Sequence, residues 1–370
     1  MKTILILGSS GQAAISVIKC LRLANLKNPK YRIVTEDLDA LLPGAYIGDI
    51  GYINEKEDDK WVSGINKIIA NEKVDLIIPC HDIPVDIVSR RREEINAPIL
   101  AAEKEKISIT RDKWLFNQWL KQNKYPAPKT WLGLPTVVPF PDFVSYPVII
   151  KLRGGFGSKD QYVANSQEEM EALKDLFKAK GLNEQDYITQ EKLEGTELSG
   201  MALVSKDGEI LSITCAESVK KFGMSYKTIH GGEEDHLDFK LLVAKIVGRM
   251  GITGPVSVQG FRTSQVCDVC TSTPYSSYSS YSPNSTYKSV KLFEINPRFT
   301  GAQVVRAMAG VNGPEILVDN WLDGTKKYPI CKERLIALWY ADYGYISEKD
   351  YLELKEKKEI TRKAKFTNLL

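Results

Sequence analysis

This chain lacks several things that would point to familiar functions. It holds three histidines among 370 residues. A mechanism built on acid–base dyads is therefore less natural than one built on positioning and charge. Six cysteines are scattered along the sequence, which points to a reducing cytoplasm. Only Cys267 and Cys270 stand close together, as CDVC. One CxxC without a second pair of ligands is half a zinc site, so incidental thiols are the better reading. No apolar run approaches the roughly 20 residues of a membrane helix. The start, MKTILILGSSG, reaches glycine too early for a signal peptide and lacks the cleavage pattern. Charge of one sign is also missing: 50 basic and 47 acidic residues leave a net charge of +3. That gives no argument for nucleic acid or an anionic membrane as partner. Even the triplet Arg90, Arg91 and Arg92 is followed at once by Glu93 and Glu94, as on a solvated helix face.

What is present is a globular composition, 43% hydrophobic and 26% charged, in a chain long enough for two or three domains. The first hundred residues alternate strand and helix. Strands are expected at 3–8, 31–37, 74–79 and 97–102, and helices at 11–24, 58–73 and 83–95. Such alternation implies parallel pairing through crossovers, hence an open, doubly wound α/β domain over 1–109. The rhythm changes near Arg111. An amphipathic helix at 111–123 and a proline-rich connector lead to the strand YPVIIKLR, a glycine-rich turn, a short strand and a helix at 166–181. That helix opens on a capping box, Ser166 with Glu169, and stops at Gly181. Residues 186–218 read as three strands with turns at Gly195 and Gly208. A lysine-rich loop is expected from 219 to about 236, then a helix at 237–251 and two antiparallel strands, 254–262 and 289–296.

Between those strands lies a segment with seven serines and four tyrosines from Thr271 to Tyr287. It has no apolar period and reads as a long hairpin extension over 263–289, more readily a tolerated insertion than a recognition loop.

Three motifs carry chemistry. GSSGQAA (8–14) follows the first strand, but Ser10 stands where the dinucleotide fingerprint needs its middle glycine. A tight turn and an anion-binding turn both remain open there. RGGFGSKD (153–160) places Gly154, Gly155 and Gly157 where backbone N–H groups can approach a phosphate chain, with Lys151 and Lys159 adding charge. In KLFEINPRFTG, period two sends Glu294 and Asn296 to one face, with Phe293 and Ile295 toward the core. Gln259 and Ser257 share a face on the preceding strand. Paired, the two strands converge oxygen ligands suited to Mg²⁺, with Arg298 placed for a phosphoryl group.

These residues resemble the ATP-grasp superfamily, in particular the large subunit of carbamoyl phosphate synthetase. LFEINPRFTGA is similar to its EMNPR strand, and GPVSVQGF to the strand before it. TRDKWLFNQWLKQNKYPAPKTW (110–131) resembles the opening segment, YPVIIKLRGGFGSKD the phosphate lid, and ITQEKLEGTELSG the adenine hinge. The five blocks stand in family order over 110–320, after a pre-ATP-grasp-like domain. The resemblance implies a two-lobed α+β ATP-grasp domain at 110–325, with a lid lobe at about 146–193, and a C-terminal extension at 326–370. It also implies roles. Lys113 and Lys151 contact ATP phosphates beneath the lid glycines. Gln190, Glu191 and Leu193 line the adenine pocket, the latter two through their backbones, and Glu197 binds ribose. Gln259, Glu294 and Asn296 hold Mg²⁺, with Mn²⁺ as a substitute. Arg298 stabilises the phosphoryl group and, with Lys151, carries the catalytic charge. Position 190 more often carries Glu in the family, and the hairpin between the metal strands is normally short.

The implied activity is ATP-dependent joining of a small-molecule carboxylate to an amine or ammonia through an acyl phosphate, releasing ADP. Two other readings stand beside it: a bicarbonate-using carbamoyl or carboxy phosphate synthetase, and a non-catalytic nucleotide-binding module. Substrate contacts are expected from His81 and Asp82 at the carboxyl end of strand 74–79, and from Lys220, Lys221, Lys227 and His230, the last as an exposed loop histidine. A homo-oligomer is compatible with the sequence.

Overall fold

The computed structural model describes residues 1–41, 43–56, 58–135, 146–154, 160–221, 224–232, 234–266, 288–332, 334–338, 344–345, 347–361 and 367–368. The amino-terminal part runs β1 (Lys2–Leu7), α1 (Gln12–Lys27), β2 (Tyr31–Asp37), α2 (Gly44–Ile47), β3 (Ile50–Ile53), α3 (Asp58–Glu72), β4 (Leu76–Pro79) and α4 (Asp82–Arg90). The four strands are parallel in the order β3-β2-β1-β4. Strand and helix alternate as expected. Of the anticipated strand 97–102, only a parallel bridge between Ile77 and Ile99 forms.

Beyond it lie α5 (Lys104–Arg111) and α6 (Lys113–Gln122). The helix expected from Arg111 is thus broken at Asp112, whose carboxylate caps α6 by accepting from the N–H groups of Trp114 and Leu115. A smaller four-stranded sheet comprises β5 (Thr130–Leu132), β6 (Val148–Leu152), β7 (Tyr162–Ala164) and β8 (Tyr187–Glu191), backed by α7 (Gln167–Ala179). Val148, Ile150, Met170, Phe177 and Tyr187 fill its own small core.

The larger sheet comprises β9 (Thr196–Val204), β10 (Ile210–Lys221), β11 (Met224–His230), β12 (Gly254–Val266), β13 (Lys288–Asn296) and β14 (Leu335–Leu338), in the order β13-β12-β9-β10-β11-β14. The lysine-rich stretch is therefore no loop: β10 and β11 form an antiparallel hairpin. Between them in sequence and β12 runs α8 (Leu237–Met250), which packs on one sheet face. The approach is close: a Cβ on Gly200 would lie 2.8 Å from Val243. After β13 come α9 (Gln303–Met308) and α10 (Gly313–Asp323), packed against α1.

The C-terminal segment holds β15 (Gly344–Tyr345), α11 (Glu348–Lys357), β16 (Glu359–Thr361) and β17 (Thr367–Asn368). It returns to the first sheet, where β16 pairs antiparallel with β3 and Leu354 and Ile360 pack with Tyr46. That covers an edge which would otherwise present unpaired backbone groups. Among the described residues no helix is long and apolar enough to cross a membrane.

Candidate functional site

The site is built on the register of the larger sheet. Gln259 of β12 lies directly opposite Glu294 of β13, and Ser257 opposite Asn296. Gln259 also pairs with Ser199, Ser199 with Ala216, and Ala216 with His230. Glu294, Gln259, Ser199, Ala216 and His230 thus form one row across five strands, facing the same way. The neighbouring row carries Asn296, Ser257, Met201 and Thr214. On the other side of the row, Glu197 sits between Phe261 and Ser218. One sheet face is therefore a polar floor, while Leu198, Ala202, Val258 and Ile295 join the core on the α8 side.

The strand ends as the alternation of KLFEIN requires, with one exception. The register slips between Gln259 and Gly260, so Gly260 faces Leu292 and Phe293 is the extra residue of a bulge. Leu292 takes the buried place and Phe293 is partly exposed. The expectation that Phe293 points into the core is corrected accordingly. Its ring packs 5.5 Å from that of Phe261 and lies 5.0 Å beneath the Lys151 ammonium. A cation over an aromatic face is attracted by the ring quadrupole.

Lys113, first residue of α6, places Nζ 3.8 Å from Glu294 Oε1 and is buried. Lys113, Lys151 and Glu294, from three separate segments, thereby meet at one place. Gln259 Oε1 and Ser257 Oγ are buried acceptors with no partner among the described residues. Unsatisfied oxygens beside one carboxylate fit a hard cation. Among the described residues no cluster of three His, Cys, Asp or Glu could hold a metal by itself. Gln259, Glu294 and Asn296 suit a Mg²⁺ that arrives with phosphate oxygens to complete its shell.

Arg298, just past β13, reaches the amino-terminal part. Its Nε donates to Asp82 Oδ1 (3.2 Å) and its Nη2 to Asp82 Oδ2 (2.9 Å), a bidentate pair. Asp82 opens α4 immediately after β4, with His81 as its N-cap. Burial works against the Asp82 charge, but Arg298, with Arg111 and His81 in support, holds its carboxyl below the ordinary range. Arg298 is in turn raised: Asp82 and Glu294 outweigh the burial that opposes its charge.

The hinge residues are partly committed. Gln190 is buried and its Nε2 donates to Thr130 Oγ1 at 2.8 Å. The Glu191 N–H donates to Lys129 O, and its carboxylate accepts from Lys291 Nζ at 2.6 Å, tying β8 to β13. Leu193 lies between β8 and β9, and Glu197 is buried on the polar floor.

His230 departs from expectation. It ends β11 rather than lying in a loop and is fully buried. Burial, with the positive charge of Arg306 nearby, pushes its imidazole down to about 3, so it is neutral. Lys227 lies an odd number of residues away on the same strand, which puts it on the opposite face. Gly154 is exposed, whereas Gly155, Gly157 and Lys159 lie outside the described residues, as do Cys267 and Cys270. The side chains of Lys220 and Lys221 are likewise outside them. For the Tyr/Ser extension, β12 continues to Val266, paired with Lys288, and residues 267–287 are not described. Sequence reasoning missed Phe293 under Lys151, the Lys291–Glu191 tie and the buried Arg306. The last left one signal, a lone arginine in the otherwise apolar AQVVRAMAG.

Known proteins resemble this chain in sequence and in fold. A family model for the ATP-grasp domain matches residues 110–256. The arginine-specific large chain of carbamoyl phosphate synthase from Eremothecium gossypii is 24% identical over 282 residues, 72% of this chain. The chain covers 22% of that relative's length. An N5-carboxyaminoimidazole ribonucleotide synthetase solved with ADP superposes with a TM-score of 0.67 at 16% identity, over 91% of this chain and 81% of that one. The biotin carboxylase domain of the Hydrogenobacter thermophilus 2-oxoglutarate carboxylase, solved with MgADP and bicarbonate, gives 0.67 at 15% identity, over 94% and 78%. The chain matches the ATP-grasp family model over residues 110–256 and shares the fold of these two solved structures along most of its length.

Proposed function

We propose that this protein is an ATP-dependent, ADP-forming ligase that joins a carboxylate to an amine or ammonia through an acyl phosphate. One observation carries the reading. The register that sets Gln259 against Glu294 gathers a carboxylate and two acceptors unsatisfied among the described residues, with Lys113 Nζ 3.8 Å from that carboxylate and Lys151 over the neighbouring Phe293 ring.

Lys113 and Lys151 hold the phosphate chain of ATP and draw charge from it, with Gly154, Gly155 and Gly157 above. Gln190, Glu191 and Leu193 line the adenine side, and Glu197 takes the ribose. Mg²⁺, held by Gln259, Glu294 and Asn296 when bound, supplies Lewis-acid polarisation of the phosphates. The substrate carboxylate attacks the γ-phosphorus, the bond to the β-bridging oxygen breaks, and ADP leaves. Arg298 steadies the transferred phosphoryl group and the acyl phosphate. The amine then attacks the acyl carbon, phosphate departs, and one proton is released. Asp82 fixes the angle of Arg298 from the amino-terminal part, so substrate lies beside that pair, with His81 close by and neutral His230 farther along the floor. Domain limits of 1–109, 110–325 and 326–370, and a cytoplasmic setting, go with this reading.

The test is Mg²⁺-dependent ADP release, screened against amino acids, bicarbonate and amines. Release that requires both an amino-acid carboxylate and an amine is the expected result. Dependence on bicarbonate would replace this reading with a carboxyphosphate-forming synthetase. Tight ATP binding without turnover would make the chain a nucleotide-binding module.

A further inference from the structure

The loop that follows Arg298 holds a hydroxyl whose hydrogen bonds leave it one direction. Thr300 lies two residues beyond Arg298 and is partly exposed. Its Oγ1 accepts from Arg306 Nη1 at 3.2 Å and from Gln303 Nε2 at 3.2 Å. A threonine hydroxyl has two acceptor positions and one proton. Both acceptor positions are filled from behind, by side chains that are 2% and 0% exposed.

Arg306 cannot reverse its part, because a guanidinium only donates. It is anchored independently, its Nε donating to Thr214 Oγ1 on the sheet floor at 2.9 Å. Burial pushes it down to about 10, so it stays positive at neutral pH. Gln303 could reverse only by exchanging its amide ends. As it stands, one carbonyl oxygen is unpaired, near Gly313 and Leu203. The exchanged amide would bury two unpaired N–H hydrogens there, the larger fault.

The loop itself is fixed. The N–H of Val304 donates to Ser16 Oγ of α1 at 3.0 Å, and a Cβ on Gly301 would lie 3.1 Å from Gln12. Arg298 adds a bond from Nη1 to the Phe299 carbonyl at 3.2 Å.

We infer that Thr300 is a dedicated hydrogen-bond donor to the anion held at Arg298, with Arg306 and Gln303 as positioning residues behind it. The ligand class is an oxyanion, the phosphoryl group in transfer or the inorganic phosphate it becomes. The buried positive charge polarises the hydroxyl toward donation, and a donor fixed before the anion arrives needs no reorganisation. This rests on the ATP-ligase reading and adds to it a group not charged in any state.

The probe is inorganic phosphate, titrated calorimetrically into the full chain saturated with MgADP. Thr300→Val keeps the shape and removes the donor, and should weaken phosphate binding about ten-fold or more. Thr300→Ser should stay within two-fold of wild type. MgADP affinity should be equal in all three, and its absence from the wild type would defeat the ligase reading rather than this inference alone. Equal phosphate affinity in all three proteins would overturn the inference, as would equal weakening in Val and Ser, or no phosphate binding to the wild-type MgADP complex. Gln303→Leu keeps the volume and frees one acceptor position, letting the proton turn inward. It should weaken phosphate about three-fold. If Thr300→Val does not fold, this variant decides, and wild-type phosphate affinity in it overturns the proposal.

Discussion

Two strand ends in this chain read alike as ligand sites, and the structure treats them oppositely. The turn after β1 (Gly8 to Gly11) has glycines and serines ahead of a helix. The end of β13 has Glu294, Asn296 and Arg298. At the turn, the chain has already filled its own site. Ser10 N donates to Asp37 Oδ2 at 2.8 Å, Gly8 N to Glu36 Oε2 at 3.5 Å, and Ser9 N to the Glu36 carbonyl at 3.1 Å. Two carboxylates stand where an anionic ligand would have to come. At β13 the reverse holds: among the described residues, Gln259 Oε1 and Ser257 Oγ have no partner beside Glu294. Residue types propose a site; what stays unsatisfied after folding selects it.

The comparison breaks most decisively at Glu294. Glu294→Gln keeps the shape and removes the only carboxylate in the row with Gln259. Turnover should fall roughly 10³-fold or more, with an unchanged circular dichroism spectrum and melting temperature. Wild-type activity would mean that the unsatisfied oxygens serve some other end.

Next in size is the contact that joins the two regions. Asp82→Asn leaves Arg298 with half a partner while both are largely buried, and should cost about 3 kcal/mol in urea unfolding at neutral pH. The Asp82 carboxyl lies below its ordinary value of 3.8 in the folded state. Its contribution is therefore present above that ordinary value and lost as pH falls through the lower folded one. The wild type should lose stability faster than the variant below about pH 4.

A smaller effect tests the closed turn. Burial, with Asp37 adjacent, pushes the Glu36 carboxyl up from 4.5 to about 7, although Trp61 Nε1 donates to it. The raised folded value means that its contribution is full below 4.5 and is lost as pH rises through about 7. Glu36→Gln should match the wild type at pH 4 and exceed it by about 1 to 3 kcal/mol at pH 8. MgADP affinity should not change, because the turn's backbone donors are already taken by Glu36 and Asp37. A drop in that affinity would reopen the turn as a ligand site.

How much of this was legible depended on whether one face of an element is buried. The β12–β13 pairing could be read because GPVSVQGF and KLFEIN alternate, and the register Gln259 opposite Glu294 follows from two aligned patterns. The bulge at Phe293 was not legible, since an extra residue leaves no mark in residue types. The strand β3, in DIGYIN, is four residues between Asp49 and Asn54 with a glycine inside, and carries too little pattern. The strand β11 looked like a loop because it is rich in Lys, Ser and Thr. Its polarity reflects the floor it helps to build, and the sheet supplies its order. The strand β16 has three residues and exists because the edge of β3 receives it. Of the site, residue types named the ligands, while the partners that fix them, Asp82 for Arg298 and Phe293 for Lys151, came from tertiary contact.

The smallest expected effect concerns the Tyr/Ser extension, which interrupts the site's own hairpin. Val266 pairs with Lys288, so the strands already lie side by side where residues 267–287 begin and end. Gln259 and Glu294 stand several residue pairs below that point, and Gly260, Phe261 and Arg262 hold the register between with Leu292, Lys291 and Val290. Replacing 267–287 by Asn-Gly supplies a two-residue turn suited to an antiparallel pair. Closing the shorter loop should stabilise the hairpin by a few tenths to about 2 kcal/mol. MgADP affinity, measured by calorimetry, should stay within two-fold of wild type. A collapse of that affinity would show that the extension belongs to the nucleotide site, and the open strand end would then be open only because part of its covering lies in those residues.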